Sequence, residues 1–350
     1  MGWPHDRSMR DKTLDAWRGL SVLLVIASHL LVNRYPAVTS GHPALVDFLN
    51  GLGALGVKFF FVISGYIITK LLLEERARTG TLCLRAFYVR RAFRILPALW
   101  TCVAVVALAH ELGWAKGGGS LGPALLFLCN TQKCEWFVGH LWSLAIEEQF
   151  YLVWPVALLV GLPAVATSFW ALAIMLFLAQ ASLLFTGFIN NGLAFACIAA
   201  GCLYASSDRL RLAISTVASV PVLLAAAALL FARPLIPLAF PGQFRLHDMG
   251  TPALACLLVF GVYRHESRLQ PVIRPLSALG LVSYGLYLWQ QLFLGSEERY
   301  VAGTPLAAWP LFPVIAIVSY RWMERPLMRI GHRIAASLGP AKAAAPTMRA

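Results

Sequence analysis

The chain has 350 residues, of which 59% are hydrophobic and 13% charged, with a formal net charge of +13 at pH 7. Soluble domains carry about 25% charged residues, and several apolar runs here exceed the roughly 18 residues that cross a bilayer. These values exclude an ordinary soluble enzyme and predict an all-α, polytopic bundle of transmembrane helices. The positive charge is typical of cytoplasmic loops, so we expect the lipid bilayer and not nucleic acid as a partner.

Hydrophobic runs predict about ten membrane spans. Basic segments between them are predicted to be cytoplasmic loops at residues 74–94 and 264–275, with a short turn at residues 206–211. Most Lys and Arg then lie on the N-terminal side, which predicts a multi-pass protein of the cell membrane, the bacterial inner membrane, with both termini in the cytoplasm. The predicted spans cover residues 14–32, 51–73, 95–113, 145–162, 164–185, 188–205, 212–231, 248–263, 276–294 and 307–322.

The domain organisation follows from these spans. Residues 1–12 are expected to form a cytoplasmic N-terminal segment, and residues 13–327 a single membrane domain. Residues 328–350 are basic and then rich in Ala and Pro, a composition that favours a disordered cytoplasmic tail. The tail is too short to form a second soluble domain.

The first predicted span carries three ionisable residues, Asp15, Arg18 and His29. At about 100° per residue, His29 lies within about 20° of Arg18 and about 40° of Asp15, so the three share one stripe. His29 would lie roughly 16 Å from Arg18 along the helix, near mid-membrane, where ionisable groups are costly. A general base is the functional interpretation. The alternative is a histidine that only hydrogen-bonds a neighbouring helix.

Two arginines open the third predicted span. Arg91 and Arg94 are spaced at i and i+3 and therefore share a helix face. Paired guanidinium groups suit a phosphate ligand. From spacing alone, they could equally be the positive residues that cytoplasmic helix ends usually carry.

The segment HLWSLAIEEQFYLVWP brings polar residues to the start of the fourth span. Ser143, Glu147 and Tyr151 are spaced at i, i+4 and i+8, which predicts one stripe. Ser143 could instead be only the helix N-cap. Glu147 and Glu148 are adjacent, so only one can face a given partner, and the stripe favours Glu147.

The second and last spans contain further polar residues. Lys58 and Ser64 interrupt the second span, where Gly65 could serve either close helix packing or the site itself. Gln290 lies in the ninth span, and the Glu324-Arg325 pair after the tenth span looks like a structural cap or ion pair.

Among the seven cysteines, Cys129 and Cys134 lie in the polar segment CNTQKC, which we place outside the membrane. A disulfide would form there in an oxidising compartment, and two free thiols are the alternative. No cysteine spacing indicates zinc, and we expect no bound metal.

Five motifs occur together in a fixed order: Arg18 and His29 separated by ten residues, FFFVISGYIIT, Arg91-Ala-Phe-Arg94, HLWSLAIEEQFYLVWP and SYGLYLW. In this combination the chain resembles the acyltransferase-3 family of integral-membrane O-acyltransferases, which includes O-antigen and exopolysaccharide acetyltransferases and macrolide acylases. The resemblance covers about residues 12–327.

The resemblance implies a ten-helix domain that transfers an acyl group from cytoplasmic acyl-CoA to a hydroxyl of a sugar or other acceptor. It implies that His29 is the catalytic base and that Arg91 and Arg94 hold the acyl-CoA. Relatives often carry a histidine after SYxxYLW, where this chain has Gln290. A glutamine can hydrogen-bond but cannot act as a base.

We therefore expect an O-acyltransferase, specifically an acetyltransferase, with acyl-CoA as co-substrate, a carbohydrate or glycoside as acceptor, and no permanently bound cofactor. His29 would deprotonate the acceptor hydroxyl, with orientation by Asp15 or Glu147. Arg18 would fix the aspartate or the donor. A covalent acyl-enzyme through Ser143 or Ser64 is the minor variant. Substrate binding is assigned to Glu148, Tyr151, Ser64 and Lys58.

Two alternatives from other functional classes remain. A proton-coupled transporter could employ the Asp, Arg, His and Glu set as a relay. A non-catalytic membrane scaffold would need none of them. Cleavage of a thioester by the purified protein would separate the acyltransferase from both.

Overall fold

The computed structural model describes residues 11–116, 121–185, 189–235, 246–301, 304, 306 and 308–338. Within these ranges the regular structure is helical and contains no strand, which confirms the all-α prediction for the part described. π-helical turns at Leu30–Arg34 and Tyr320–Glu324 continue the helical structure beyond His29 and between Ser319 and Arg325. The longer helices are α1 (Lys12–His29), α2 (Pro43–Thr79), α3 (Leu84–Glu111), α4 (Leu141–Leu159), α5 (Ala164–Phe185), α6 (Ile189–Ser206), α7 (Asp208–Val217), α8 (Val220–Ala232), α9 (Thr251–Gly261), α10 (Glu266–Leu281), α11 (Ser283–Phe293), α12 (Leu311–Ser319) and α13 (Arg325–Leu338).

Candidate membrane spans are of two kinds, single long helices and pairs of helices with a bend between them. Two bent pairs are long and apolar enough only when taken together: α7 with α8, bent by 100°, and residues 251–281 with α11, bent by 67°. The described residues thus hold four to six candidate spans by length and composition, and the prediction of about ten is not confirmed. Some predicted spans are short helices, such as α9 with 11 residues and α12 with 9. The single helices that qualify are Lys12–Arg34, Pro43–Thr79, Leu84–Glu111 and Ala164–Ala181.

The predicted arginine loop at residues 74–94 is wrong, because helix continues into it from both sides. α2 ends at Thr79 with Gly80 in a left-handed conformation (φ 75°), and α3 begins at Leu84. Glu75 fixes this hairpin: its carboxylate accepts the Cys83 backbone N–H at 2.9 Å and lies 3.4 Å from the Arg90 guanidinium. Arg91 and Arg94 consequently project from a helix and not from a loop.

Three other segments that we expected to be irregular are helical. The turn at residues 206–211 contains the start of α7, where the Ser207 hydroxyl accepts the Leu210 N–H at 3.2 Å. The loop at residues 264–275 lies largely in α10. The tail is helical as far as Leu338, and the rest of it lies outside the described residues. In each case a half-exposed helix has a polar face that hydropathy alone assigns to a loop.

Glycines bring the helices of the core into backbone contact. A Cβ on Gly65 of α2 would lie 2.0 Å from the Ile198 carbonyl oxygen of α6, and one on Gly201 of α6 would lie 2.0 Å from the Val62 carbonyl oxygen. α1 and α10 meet in the same way at Gly19 and Gly280. The packing interpretation of Gly65 is therefore confirmed, and small residues of this kind are typical of membrane helix interfaces.

We expect Gly65→Ala to destabilise the bundle by about 1–3 kcal/mol, because the added methyl group meets backbone and cannot be accommodated by a rotamer change. Thermal unfolding in detergent measures the effect. Gly122→Ala is the matched control, since nothing lies within 4 Å of a Cβ built there. Equal unfolding temperatures for the two variants would contradict this account of the α2–α6 contact.

Candidate active site

Two cavities lie among α1, α2, α4 and α11, and α3 also lines the first of them. This first cavity, which we name the arginine cavity, is lined by Arg18 of α1, by Arg91 and Arg94 of α3 and by residues of α2, α4 and α11, and it measures about 760 Å³ including the part open to solvent. The second, the histidine cavity, is lined by His29 and His140 and measures about 710 Å³ on the same basis. Apart from Asp15, Lys58 and Glu148, the residues that we selected from the sequence line one or the other of these neighbouring cavities, with His29 in the second and the rest in the first.

The two cavities adjoin each other. Val57 of α2 and Tyr287 of α11 line both of them. Along α2 the lining residues recur every three or four positions, so they form one continuous stripe from the histidine cavity to the arginine cavity. The stripe consists of Asn50, Gly53, Ala54, Val57, Phe60, Phe61, Ser64 and Ile67.

Glu147 is the single carboxylate among the described residues that line the arginine cavity. Its Oε1 accepts a hydrogen bond from the Ser64 hydroxyl at 2.8 Å, and its Oε2 accepts one from the Tyr151 hydroxyl at 3.1 Å. The Arg91 guanidinium lies 4.3 Å from the centre of the Tyr151 ring, within the range of a cation–π contact. The stripe on α4 therefore faces the cavity as its spacing predicts, and it also orients Arg91.

The charge of the arginine cavity is strongly positive. Arg18 is paired outside the cavity with buried Asp15, at 3.4 Å, whereas Arg94 is exposed and lines the space. Three guanidinium groups thus surround a cavity with one lining carboxylate. Guanidinium groups bind phosphate oxygens with charge-assisted hydrogen bonds, so this end is suited to a phosphorylated ligand.

His29 is held by Gln290. Its Nδ1 lies 2.7 Å from Gln290 Oε1, and its ring meets the Trp136 ring edge-on with centroids 5.4 Å apart. An amide oxygen only accepts, so with the glutamine in this orientation Nδ1 carries the proton and Nε2 offers a lone pair. His29 can therefore accept a proton at Nε2 while Gln290 stabilises the charge that develops.

The prediction that Asp15 or Glu147 orients the reaction at His29 is wrong. Asp15 precedes His29 by fourteen residues, which is about 21 Å along α1, and Glu147 lines the other cavity. A shared angular stripe does not bring residues within hydrogen-bonding distance when the helical rise separates them. Gln290, which the sequence left without a role, is the actual partner.

His140 is a residue of the cavity that sequence reasoning did not assign. It is 4% exposed, its Nε2 lies 3.1 Å from the Leu288 carbonyl oxygen, and its backbone N–H donates to Gln291 Oε1 at 2.8 Å. Adjacent glutamines of α11 thus hold both histidines. The sequence signal for His140 was its position as a polar residue at the start of α4. Its partners on α11 follow it by more than 140 residues and could not be predicted from that position.

Other selected residues lie elsewhere. Asp15, Lys58 and Glu148 line neither cavity. Lys58 and Glu148 each follow a lining residue by one position, and a helix rotates successive side chains by about 100°. Ser143 lines the arginine cavity and bonds the Tyr287 hydroxyl at 2.6 Å. It is not the N-cap, because α4 begins after His140.

The segment before α4 is cross-linked. Cys129 and Cys134 form a disulfide, which answers the choice that the sequence left open. Between them, Asn130 exchanges two amide hydrogen bonds with Gln149 of α4, at 2.9 and 3.0 Å. The helix that carries Glu147 is thereby tied to the loop. Glu324 is buried and accepts a hydrogen bond from Ser319 at 2.9 Å, whereas the predicted cap or ion pair with Arg325 stays a prediction.

Comparisons with known proteins give a family. The domain model Acyl_transf_3, described as an acyltransferase domain, matches residues 11–320. The chain is 29% identical to YrhL of Bacillus subtilis, provisionally named a peptidoglycan O-acetyltransferase, over 91% of this chain and 55% of that protein. It is 26% identical to the peptidoglycan O-acetyltransferase OatA of Listeria monocytogenes, over 91% of this chain and 56% of that protein. The chain thus spans about half the length of these relatives. No solved structure matches it.

Proposed function

The chain belongs to the acyltransferase-3 family, whose domain model covers most of its length, and from this premise we propose that it is a membrane O-acetyltransferase. It moves an acetyl group from acyl-CoA to a hydroxyl of a carbohydrate or glycoside. The observation that carries the proposal is that the arginine cavity, which is suited to phosphate groups, adjoins the cavity lined by His29, which can act as a base. The family does not favour the transporter alternative.

The arginine cavity is the proposed donor site. Arg91 and Arg94 bind phosphate groups of CoA, and Arg18, steadied by Asp15, binds the donor from the opposite side. Because CoA is cytoplasmic, we propose that this cavity faces the cytoplasm and that both termini lie on the same side. The thioester then extends along α2 towards His29.

In the proposed mechanism the acceptor hydroxyl enters the histidine cavity. His29 Nε2 takes its proton while the hydroxyl oxygen attacks the thioester carbonyl carbon. The new C–O bond forms, the C–S bond breaks, and the CoA thiolate recovers the proton from His29. Gln290 Oε1 accepts the Nδ1–H throughout and stabilises the transient imidazolium.

A covalent acyl-enzyme has weaker support. Ser143 bonds the Tyr287 hydroxyl and the His140 backbone carbonyl, and neither group is a base. Ser64 donates to Glu147, which makes it the better nucleophile of the two. Direct transfer needs neither serine as a nucleophile, and we propose that route.

The acceptor is proposed by analogy with the relatives. Two of them are named for O-acetylation of peptidoglycan, and the matched region of each includes most of this chain. Peptidoglycan is a polymer of amino sugars with free hydroxyls, so soluble fragments released from it by a muramidase are the first acceptor to test. Mass spectrometry of surface glycans from cells with and without the protein would identify the natural acceptor.

We expect His29→Ala to lower acetyl transfer from acetyl-CoA by about 10²–10⁴-fold, because the general base is lost. Binding of acetyl-CoA should be unchanged, since the donor site lies in the other cavity. Release of free CoA thiol by purified protein with peptidoglycan fragments measures transfer. His110→Ala is the control, because His110 lies on α3 outside both cavities. A fully active His29→Ala variant would exclude the proposed mechanism.

Arg94→Gln should weaken acetyl-CoA binding about tenfold, through loss of one charge-assisted hydrogen bond. Titration calorimetry at several salt concentrations measures it, and the salt dependence should fall together with the affinity. Arg85→Gln removes the same charge from an exposed position of α3 outside the cavities. If both variants lose affinity equally, general surface charge explains binding and the donor site is wrong.

Gln290→Leu should lower kcat about tenfold with little change in KM for acetyl-CoA, because His29 loses the acceptor that fixes its Nδ1–H. Gln290→His should retain more activity than Gln290→Leu, since an imidazole can also accept that hydrogen bond. Steady-state kinetics of both variants test the role. Equal activity of the leucine variant and the unmodified protein would show that Gln290 does not position the base.

A further inference from the structure

We infer that Val57 and Tyr287 form a fixed constriction that selects acyl groups by their cross-section, admitting a linear acetyl group and excluding a branched one. The inference rests on the proposed function and deepens it. These two residues line both cavities, so an acyl group that travels from the arginine cavity towards His29 passes between them.

The Tyr287 side of the constriction is held in place. Its hydroxyl lies 2.6 Å from the Ser143 hydroxyl and donates to the His140 carbonyl oxygen at 2.9 Å. Its ring meets Phe60 on the arginine side, with centroids 6.2 Å apart, and the His140 ring on the histidine side, with centroids 5.4 Å apart. The tyrosine cannot swing aside without breaking these contacts.

The Val57 side is stiff but small. Valine is branched at Cβ and has few rotamers, and Val57 is only 7% exposed. Towards His29 the next lining residues of α2 are Gly53 and Ala54, which leave room for an acceptor. Towards the arginines they are Phe60 and Phe61, which narrow the approach. The two methyl groups of Val57 therefore lie where α2 changes from bulky lining residues on the arginine side to small ones on the histidine side.

The selection of acyl groups follows from the orientation in which the donor enters. CoA occupies the arginine cavity, so the acyl end of the thioester leads. For the carbonyl carbon to reach an acceptor at His29, the carbon next to it, which travels ahead of it, must first pass between Val57 and Tyr287. A methyl group at that point is compact, whereas an isobutyryl group carries two methyl groups on that carbon. Its added width meets a side chain on each side.

Val57→Ala and Val57→Phe test the constriction from opposite directions. We expect the alanine variant to raise the ratio of isobutyryl to acetyl transfer about tenfold, the effect typical of one methyl-sized change in a hydrophobic pocket. The phenylalanine variant should lose acetyl transfer and still bind acetyl-CoA. The assay follows thiol release from acetyl-CoA and isobutyryl-CoA with muramidase-released peptidoglycan fragments as acceptor.

Val62→Ala is the matched control. Val62 is also a buried valine of α2, so the substitution removes the same two methyl groups, but it lines neither cavity. It should leave the acyl preference unchanged. An equal change of preference in Val57→Ala and Val62→Ala, or full acetyl transfer by Val57→Phe, would overturn the constriction while the proposed function stands. If the unmodified protein transfers neither acyl group, the proposed function fails, and the constriction with it.

Discussion

The cost of placing ionisable side chains inside an apolar bundle is the constraint on which this structure depends. A buried charge needs a partner, because no water is present to solvate it. Arg18 lies beside Asp15, Glu147 receives hydrogen bonds from Ser64 and Tyr151, and His29 is paired with an amide of a distant helix. Each partner fixes the side chain that it satisfies, so the interactions that make burial tolerable also set the geometry of the site.

Close helix packing makes these partnerships possible. α1 approaches α10 at Gly19 and Gly280, where an added Cβ would lie 2.1 Å and 1.9 Å from opposing backbone oxygens. α2 approaches α1 at Gly53, where an added Cβ would lie 2.8 Å from the Ser28 side chain, next to His29. Small residues on the packed faces leave the larger polar side chains to point into the space between helices. The glycines thereby determine where the cavities can form.

Periodicity predicted the parts of the site that lie on one helix. The stripe of Ser143, Glu147 and Tyr151 faces one cavity, as its spacing requires. Pairing between helices could not be derived in this way: Gln290 follows His29 by 261 residues, and nothing in local spacing links them. Hydropathy likewise recovered the helical class but misassigned half-exposed helices such as α10 and α13 as loop and tail, because their polar faces lower the window average.

The presence of two cavities also separates two roles that the sequence left open for Glu147. One is to take part in proton removal from the acceptor, and the other is to balance the charge of the arginines. Both oxygens of Glu147 already accept hydrogen bonds, and its neighbours in the cavity are arginines, so it is poorly placed to remove a proton from an acceptor. It can instead offset part of the charge of three guanidinium groups and keep Arg91 stacked on Tyr151. In the proposed mechanism the proton chemistry therefore belongs to His29 and Gln290, and the acidic group serves the proposed donor site.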